Sequence, residues 1–411
     1  MVDRRSVRIS VIIPVFNGAG TLPFCLQALA DSQYQAAEYL VVDDGSTDGS
    51  AALAERLGAT FLSTGGRCGP AKARNLGARH AIGDLLLFVD ADVSVHPDTL
   101  GRIAERFETE PDLDSLIGAY DDSPTDPGLV SQFKNLMHRY VHQQGNRQAF
   151  TFWCGCGAVK RDVYLQLGGL DESYRRSSVE DIEFGFRMMH SGRKLALDPS
   201  IQCKHLKVWT LWNLVRTDVL QRGFPWTDLI LRTRYLPNDL NLRWSQRVYV
   251  ALSILLVLFG GLEVWQIAAG HVLLPASVGA AGAFVSLAGI GFLNRGFYQF
   301  LASLKGRRFS LFAILLYVLY CVYCGISFVL GAGLYALRHP VKIPPTAIHS
   351  ENSAYTPRIP AQTARSMDGA RRDFAPAAVP GDEIVLALAD MPVPNSRNSR
   401  KVRTASGSGS C

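Results

Sequence analysis

The sequence lacks charged side chains over two long stretches of its C-terminal half. From Val248 to Asn294 the single Asp, Glu, Lys or Arg residue is Glu263, and from Phe309 to Leu337 there is none. A helix needs about 20 apolar residues to cross a bilayer, so these stretches favour membrane spans over buried core helices of a soluble protein. We predict three spans, at about residues 248–268, 272–293 and 309–330.

Cysteines in a metal-binding or redox pattern are also missing. The eight cysteines are scattered, and Cys154-Gly-Cys156 has no second cluster that would complete a zinc site. Cys321 and Cys324 have redox spacing, but they lie in an uncharged stretch where packing explains them better. We therefore expect reduced thiols in a domain that faces the cytoplasm.

A strong charge bias and a secretion signal are absent as well. The formal charge of +6 is small for 411 residues, so no nucleic-acid partner is expected. Residues 1–10 are charged and contain no long apolar segment, so we expect no signal peptide. Basic residues precede the first predicted span and separate the second from the third. This pattern favours a multi-pass protein of the cell membrane with a cytoplasmic N-terminal domain, although basic residues after the third span leave the topology of the last helix open.

Composition divides the chain into three parts. We predict a catalytic domain over residues 1–243 and a membrane domain over residues 244–340. Residues 341–411 are rich in Pro, Ala, Ser and Arg, which is typical of a disordered tail. Residues 294–308, between the second and third spans, fit an amphipathic helix that lies in the membrane interface.

The first part alternates strand and helix patterns, which indicates an α/β fold with a parallel sheet covered on both faces. Strands are predicted for Arg8–Val15, Tyr39–Asp43, Thr60–Ser63 and the run that ends at Asp90, with helices at about Thr21–Ala30 and Pro70–Ala81. In such sheets, ligands bind beyond the carboxyl ends of the strands. The residues that follow each strand are therefore the first candidates for a site.

Polar side chains follow three of these strands. The first strand ends in Pro14-Val15-Phe16-Asn17, the second in Asp43-Asp44-Gly45-Ser46 and the fourth in Asp90-Ala91-Asp92. If strand geometry persists, Asp90 and Asp92 point to the same side of the sheet. Carboxylates placed there suit Mg²⁺ or Mn²⁺, which would in turn hold a diphosphate. Each strand end alone is also explained as a turn or a helix cap, but three at one edge favour a nucleotide site.

A nucleotide would use these groups in different ways. Phe16 would pack near the base, Asp43 would accept from a base N–H group, and a metal at Asp92 would neutralise the diphosphate. Arg74, one turn into the next helix, would pair with a phosphate or a carboxylate, and a surface salt bridge is the alternative.

Four segments together resemble family 2 glycosyltransferases. They are Val11–Asn17, Val42–Asp48, Ala73–Gly77 and Val89–Asp92, in the order and at about the spacing found in that family. The resemblance covers roughly residues 8–210. It implies a GT-A fold, which is a Rossmann-like nucleotide-sugar-binding domain, a nucleotide-diphospho-sugar donor, a divalent cation and inversion at the anomeric carbon. It assigns these residues to donor binding: Pro14, Phe16, Asn17, Asp43, Asp44, Arg74 and Asp90.

An inverting transfer needs a carboxylate that takes the proton of the acceptor hydroxyl. The segment from Ser178 to Arg187 resembles the Glu-Asp motif of the family at the start of a helix. By that match Asp181 is the base and Glu180 its neighbour. A helix-capping role for the same carboxylates, in a capping box with the preceding serines, is the alternative.

Two further elements complete the predicted site. The segment Phe152–Arg161 resembles the acceptor-side loop of the family, where Trp153 would stack on a sugar or lipid group and Gly155 would let substrate approach the backbone. A core position for Trp153 is equally open. In some members of the family, a histidine in this region is a metal ligand. By that resemblance His205 would complete the metal site with Asp92, and a purely structural role for His205 is the alternative.

One family motif is absent. Processive synthases carry Gln-x-x-Arg-Trp after the base, whereas here Gln221 is followed by Phe224 and Pro225 at the Arg and Trp places. We therefore expect one transfer per encounter rather than polymer synthesis. The predicted membrane anchor suggests a lipid or lipid-linked acceptor, such as a polyprenyl phosphate, in cell-envelope glycan or glycolipid synthesis. A nucleotidyltransferase on a similar fold and a non-catalytic membrane scaffold are the alternative functions.

Overall fold

The computed structural model describes residues 7–270 and 275–339. The predicted tail over 341–411 and the beginning of the second predicted span, residues 272–274, lie outside the described residues. The described residues form two compact units. The first comprises the chain up to Gly118 together with Thr151–Leu206, and the second comprises Ala119–Phe150 and the chain from Lys207 onward. The predicted functional boundary at residue 243 stays a prediction.

A mixed sheet of eight strands organises the described part of the N-terminal half. In chain order the strands are β1 (Ile9–Val15), β2 (Glu38–Asp43), β3 (Thr60–Ser63), β4 (Leu85–Val89), β5 (Val93–Val95), β6 (Ser115–Tyr120), β7 (Cys156–Lys160) and β8 (Leu195–His205). Their spatial order is β3-β2-β1-β4-β7-β6-β8-β5. Strands β1 to β4 pair in parallel, as predicted, whereas β7 runs antiparallel to both β4 and β6.

Twelve α-helices occur in the described residues. They are α1 (Leu22–Ala30), α2 (Ser50–Arg56), α3 (Pro70–His80), α4 (Thr99–Thr109), α5 (Leu129–Gln144), α6 (Arg161–Gln166), α7 (Glu180–His190), α8 (Leu211–Arg216), α9 (Phe224–Thr233), α10 (Trp244–Ala269), α11 (Ala276–Leu293) and α12 (Arg295–Arg338). A π-helical segment, Thr217–Gly223, joins α8 to α9, and a 3₁₀ turn, Leu240–Leu242, precedes α10.

Strand β4, at the centre of the sheet, is fully apolar, and its buried side chains help to position the strand ends. All five residues of β4 are buried, and each such Leu, Phe or Val side chain contributes about 1.5–3 kcal/mol by leaving water. Helix α3 packs directly on β1, because a Cβ atom at Gly77 would lie 2.6 Å from Ile12 Cγ2. This close packing places the first turns of α3, and with them Arg74, beside the carboxyl ends of the strands.

Three helices of the second unit are long and apolar enough to cross a membrane: α10, α11 and α12. They match the three predicted spans in number, and α12 is interrupted at Gly306, where the backbone is not helical. The core of this unit joins α5 to these helices through Phe133, Tyr249, Phe297 and Tyr317. The interfacial role of residues 294–308 stays a prediction.

Candidate active site

The two aspartates at the end of β2 are buried and hold backbone amides. The Asp43 carboxylate accepts hydrogen bonds from the Gly45 and Ser46 N–H groups at 3.1 Å. The Asp44 carboxylate accepts from the N–H groups of Cys68 at 2.8 Å and Gly69 at 2.9 Å. Asp44 therefore fixes the loop before α3. A carboxylate has about four acceptor positions, so Asp43 retains the capacity to accept from a nucleobase.

Two of the predicted donor-binding residues at the end of β1, Phe16 and Asn17, have partners from neighbouring loops. Asn17 lies in the left-handed region at φ 51°, and its Oδ1 atom accepts from the Thr47 N–H group at 2.8 Å. The Phe16 ring carries the guanidinium of Arg67 on its face, 3.5 Å from the ring centroid. Pro14 is half-buried within β1. Sequence reasoning missed Arg67, because a single arginine in a glycine-rich loop gives no signal.

The strand geometry that would make Asp90 and Asp92 point the same way does not persist beyond Val89. Strand β4 ends at Val89, and the chain then turns, with the Val93 N–H group donating to the Asp90 carbonyl oxygen at 2.9 Å. Because strand geometry does not persist, the two carboxylates have different partners. Asp90 Oδ1 accepts from Arg74 Nη2 at 2.6 Å, and Asp92 Oδ2 lies 3.6 Å from His205 Nε2.

Arg74 is a buried link between two parts of the site. Only 4% of its surface is exposed, which excludes the surface salt bridge. Besides the contact with Asp90, its Nη1 atom donates to Glu180 Oε1 at 3.1 Å. The sequence suggested either a phosphate or a carboxylate as the partner of Arg74. In the structure, carboxylates lie on both sides of the guanidinium. Two charge-assisted hydrogen bonds hold this geometry.

Glu180 and Asp181 open α7 without forming a capping box. The N-cap residue is Val179, and no side-chain cap bond is present there. Glu180 is buried, and its Oε2 atom accepts from the Ser178 N–H group at 2.8 Å. Asp181 is half-buried and accepts from the N–H groups of Cys154 at 3.3 Å and Ile182 at 2.8 Å. Its environment is thus set by α7 and by the loop before β7.

The electrostatics of this carboxylate pair fit proton transfer near neutral pH. Burial and the neighbouring Glu180 carboxylate raise the pKa of Asp181 to about 7, against the opposing effect of Arg74 and the two N–H groups. A general base works best with a pKa near the operating pH. Asp181 has that property, and Arg74 holds the adjacent Glu180 in place.

The predicted acceptor loop packs tightly around its glycines. A Cβ atom at Gly155 would lie 2.5 Å from the Trp153 ring, so the half-buried indole folds back over this residue. A Cβ atom at Gly185 of α7 would lie 2.3 Å from the Phe152 backbone nitrogen. This approach brings the Cys154 N–H group to Asp181. Substrate contact by Trp153 and Gly155 stays a prediction.

Asp92 and His205 are adjacent, as the metal prediction requires. The Leu206 N–H group donates to the Asp92 carbonyl oxygen at 2.8 Å, and His205 pairs with Val93 across β5 and β8. Within residues 7–270 and 275–339, no three His, Cys, Asp or Glu side chains form a group that could hold a metal. Mg²⁺ commonly takes one or two protein ligands and completes its shell with phosphate and water. The pair fits a metal that is shared with a diphosphate.

The curled α/β sheet, with acidic residues at the carboxyl ends of parallel strands, is of the GT-A class, and the predicted fold class is confirmed. The model of the family described as "Glycosyl transferase family 2" matches residues 10–168. The predicted resemblance to this family is confirmed over those residues.

Two proteins of similar sequence are named as transferases of sugars. An uncharacterized glycosyltransferase of Haemophilus influenzae is 25% identical over 195 residues, which cover 44% of this chain and 62% of the relative. An undecaprenyl-phosphate 4-deoxy-4-formamido-L-arabinose transferase of Klebsiella pneumoniae is 26% identical over 168 residues, or 38% of this chain and 50% of the relative. The chain therefore spans less than two thirds of the length of these relatives.

Among solved structures, a mannosyltransferase of Pyrobaculum calidifontis in complex with GDP-Man and Mn²⁺ is similar, with a TM-score of 0.49 at 16% identity. The match covers 79% of this chain and 88% of that one.

Proposed function

We propose that this chain is a membrane-anchored, non-processive inverting glycosyltransferase that uses a nucleotide-diphospho-sugar donor. One observation carries the proposal. The buried Arg74 guanidinium joins Asp90, at the carboxyl end of β4, to Glu180, which is adjacent to the candidate base Asp181. A turn or a helix cap at either place would not need this buried connection, whereas a catalytic site that joins donor and base would.

The reaction follows from the positions of these groups. Asp181 would accept the proton of an acceptor hydroxyl while the acceptor oxygen bonds to the anomeric carbon and the bond from that carbon to the diphosphate breaks. Asp43 would accept from the base, and Phe16 would pack near it. Asp92 and His205 would hold Mg²⁺ or Mn²⁺, which would neutralise charge on the leaving nucleoside diphosphate.

A lipid or lipid-linked acceptor is the second part of the proposal. The three long apolar helices of the second unit would anchor the protein in the cell membrane, with the N-terminal unit in the cytoplasm. The Klebsiella pneumoniae relative is named for transfer to undecaprenyl phosphate. A polyprenyl phosphate or a hydroxyl of a molecule linked to it is therefore the acceptor class that we would test first.

A donor screen tests the activity. The full chain in detergent, with Mn²⁺ or Mg²⁺, would be given UDP-, GDP- and dTDP-sugars with and without a bacterial lipid extract. We expect nucleoside diphosphate release with one donor and faster release with lipid. Pyrophosphate release would instead identify a nucleotidyltransferase, and the absence of any nucleotide binding would favour a scaffold.

A further inference from the structure

The loop between β3 and α3 carries an arginine that the proposed reaction does not use. Arg67 is exposed, and its guanidinium carbon lies 3.5 Å from the centroid of the Phe16 ring. At this separation the guanidinium has to lie nearly flat on the ring, because a tilted one would push a nitrogen atom into the ring. Its N–H groups therefore point outward, parallel to the ring, and none of them donates to a residue within 7–270 or 275–339.

The backbone of this arginine is fixed on the end of β2. The N–H group of the next residue, Cys68, donates to the Asp44 carboxylate at 2.8 Å. Gly45 has a φ of 80°, and a Cβ atom there would lie 3.0 Å from the Arg67 backbone nitrogen. The Arg67 side chain thus starts at the end of β2 and crosses to Phe16 at the end of β1. Its position depends on a rigid loop as well as on the ring.

A buried hydrogen-bond acceptor lies next to this crossing. The Gly45 N–H group, which belongs to the residue that touches the Arg67 backbone, donates to Asp43 Oδ2 at 3.1 Å. The acceptor Asp43 and the donor Arg67 are therefore anchored on the two sides of Gly45. Phe16, the residue that would pack near the base, carries the donor. This edge of the sheet offers a base one carboxylate and one guanidinium.

Nucleobases differ in the pattern that such a pair can read. Uracil, thymine and guanine present a ring N–H group next to a carbonyl oxygen, whereas cytosine and adenine present a bare ring nitrogen next to an amino group. A carboxylate accepts from the ring N–H group, and a guanidinium donates to the carbonyl oxygen. Facing cytosine or adenine, each of the two side chains would meet a group of its own kind. The pair therefore suits the bases that carry a carbonyl group.

We infer that Arg67 determines the base specificity of the donor site, by donating to the base carbonyl oxygen while Asp43 accepts from the adjacent ring N–H group. The base would lie beside the guanidinium in the same layer, close to Phe16. This inference rests on the proposed function, because it concerns the nucleotide of the donor. It assigns the donor to the uracil, thymine or guanine nucleotides and excludes the cytosine and adenine ones.

Nucleotide binding tests the inference without requiring turnover. The full chain in detergent with Mn²⁺ would be titrated with UDP and CDP, which differ only in this edge of the base, and with GDP and ADP. In the pair whose base fits, we expect the carbonyl base to bind about 100-fold more tightly, with about tenfold from each contact. Arg67→Leu should lower this ratio about tenfold. Arg56→Leu removes an exposed arginine of α2 and should leave the ratio unchanged.

Two outcomes would overturn the inference while leaving the transferase intact. If Arg67 acts through its charge on the diphosphate, Arg67→Leu would weaken both members of a pair equally, and Arg67→Lys would bind both as the unaltered protein does. If Arg67 only covers Phe16, Arg67→Leu would leave the ratio unchanged and lower the unfolding temperature alone.

Two further outcomes concern the proposed function. A preference for UDP or GDP that Arg67→Leu removes, without sugar release from any donor, would support the role of Arg67 and refute the transferase. No binding of any nucleotide would overturn both.

Discussion

Arg74 and Glu180 are 106 residues apart in the sequence, yet Arg74 Nη1 lies 3.1 Å from Glu180 Oε1 with both side chains buried. This ion pair fixes the start of α7 against α3. The same guanidinium also holds Asp90 at the end of β4. The position of the candidate base is therefore coupled to the strand end that the donor would approach.

Replacing Arg74 should destabilise the protein strongly. Arg74→Gln would leave Glu180 and Asp90 without their partner, and removing one member of a buried ion pair costs about 3–5 kcal/mol. Arg79→Gln is the control on the same helix, because Arg79 is exposed and lies 3.7 Å from Glu172. We expect a loss of at most about 1 kcal/mol there. Denaturant unfolding of both variants in detergent measures the difference, and equal losses would contradict the buried link.

Activity should rise with pH through about 7. Asp181 must be ionised to accept a proton, and burial with Glu180 raises its pKa to about 7. Glu180→Gln removes one cause of this increase, so the rising limb should move to lower pH. The pH profile of kcat/KM for transfer to a hydroxyl acceptor checks this. If the pH at which kcat/KM rises is unchanged or higher in Glu180→Gln, Glu180 does not raise the pKa of Asp181.

The same raised pKa predicts an effect on stability. The free side chain has a pKa of about 3.9, so between that value and about 7 the folded state binds more protons than the unfolded state. The folded state is therefore most stable, as far as Asp181 is concerned, at low pH where this side chain is protonated. That stability is lost as the pH rises through about 7, because a charged Asp181 is unfavourable in its buried site. Asp181→Asn should therefore raise the unfolding temperature relative to the unaltered protein at about pH 8, and by much less at about pH 4. A similar change at both pH values would argue against a raised Asp181 pKa.

Metal dependence should require Asp92 and His205. His205→Gln keeps the ring position polar but removes the imidazole, so we expect the Mn²⁺ concentration for half-maximal activity to rise about tenfold or more. Asp98→Asn alters an exposed carboxylate a few residues after Asp92 and is the control. It should leave the Mn²⁺ concentration for half-maximal activity unchanged. Activity titrated with Mn²⁺ after removal of metal by chelation gives the comparison. Full activity of the unaltered protein in excess chelator would refute the metal site.

The parts of the site near the strand ends were predictable from the sequence. Apolar runs that stop at Asp43 and Asp90 mark the carboxyl ends of parallel strands, and such ends meet at one edge of the sheet. The turn after Val89 was not predictable, because Asp90-Ala91-Asp92 is equally compatible with a continued strand. The contacts of Arg74 with Glu180 and of Lys134 with Asp218 depend on the tertiary fold, and no local pattern encodes them.

The central claim is that Asp181 is the base of a glycosyl transfer, and a single pair of carboxylate-to-amide variants tests it most directly. Asp181→Asn would be compared with Asp112→Asn, whose side chain is 79% exposed and pairs with Lys194 on the surface. With the donor found in the screen and a hydroxyl acceptor, we expect Asp181→Asn to lower kcat by about 10²–10⁴, as for loss of a general base, with donor binding retained. Asp112→Asn should keep full activity. An Asp181→Asn protein that transfers sugar at the rate of the Asp112→Asn protein would contradict the account.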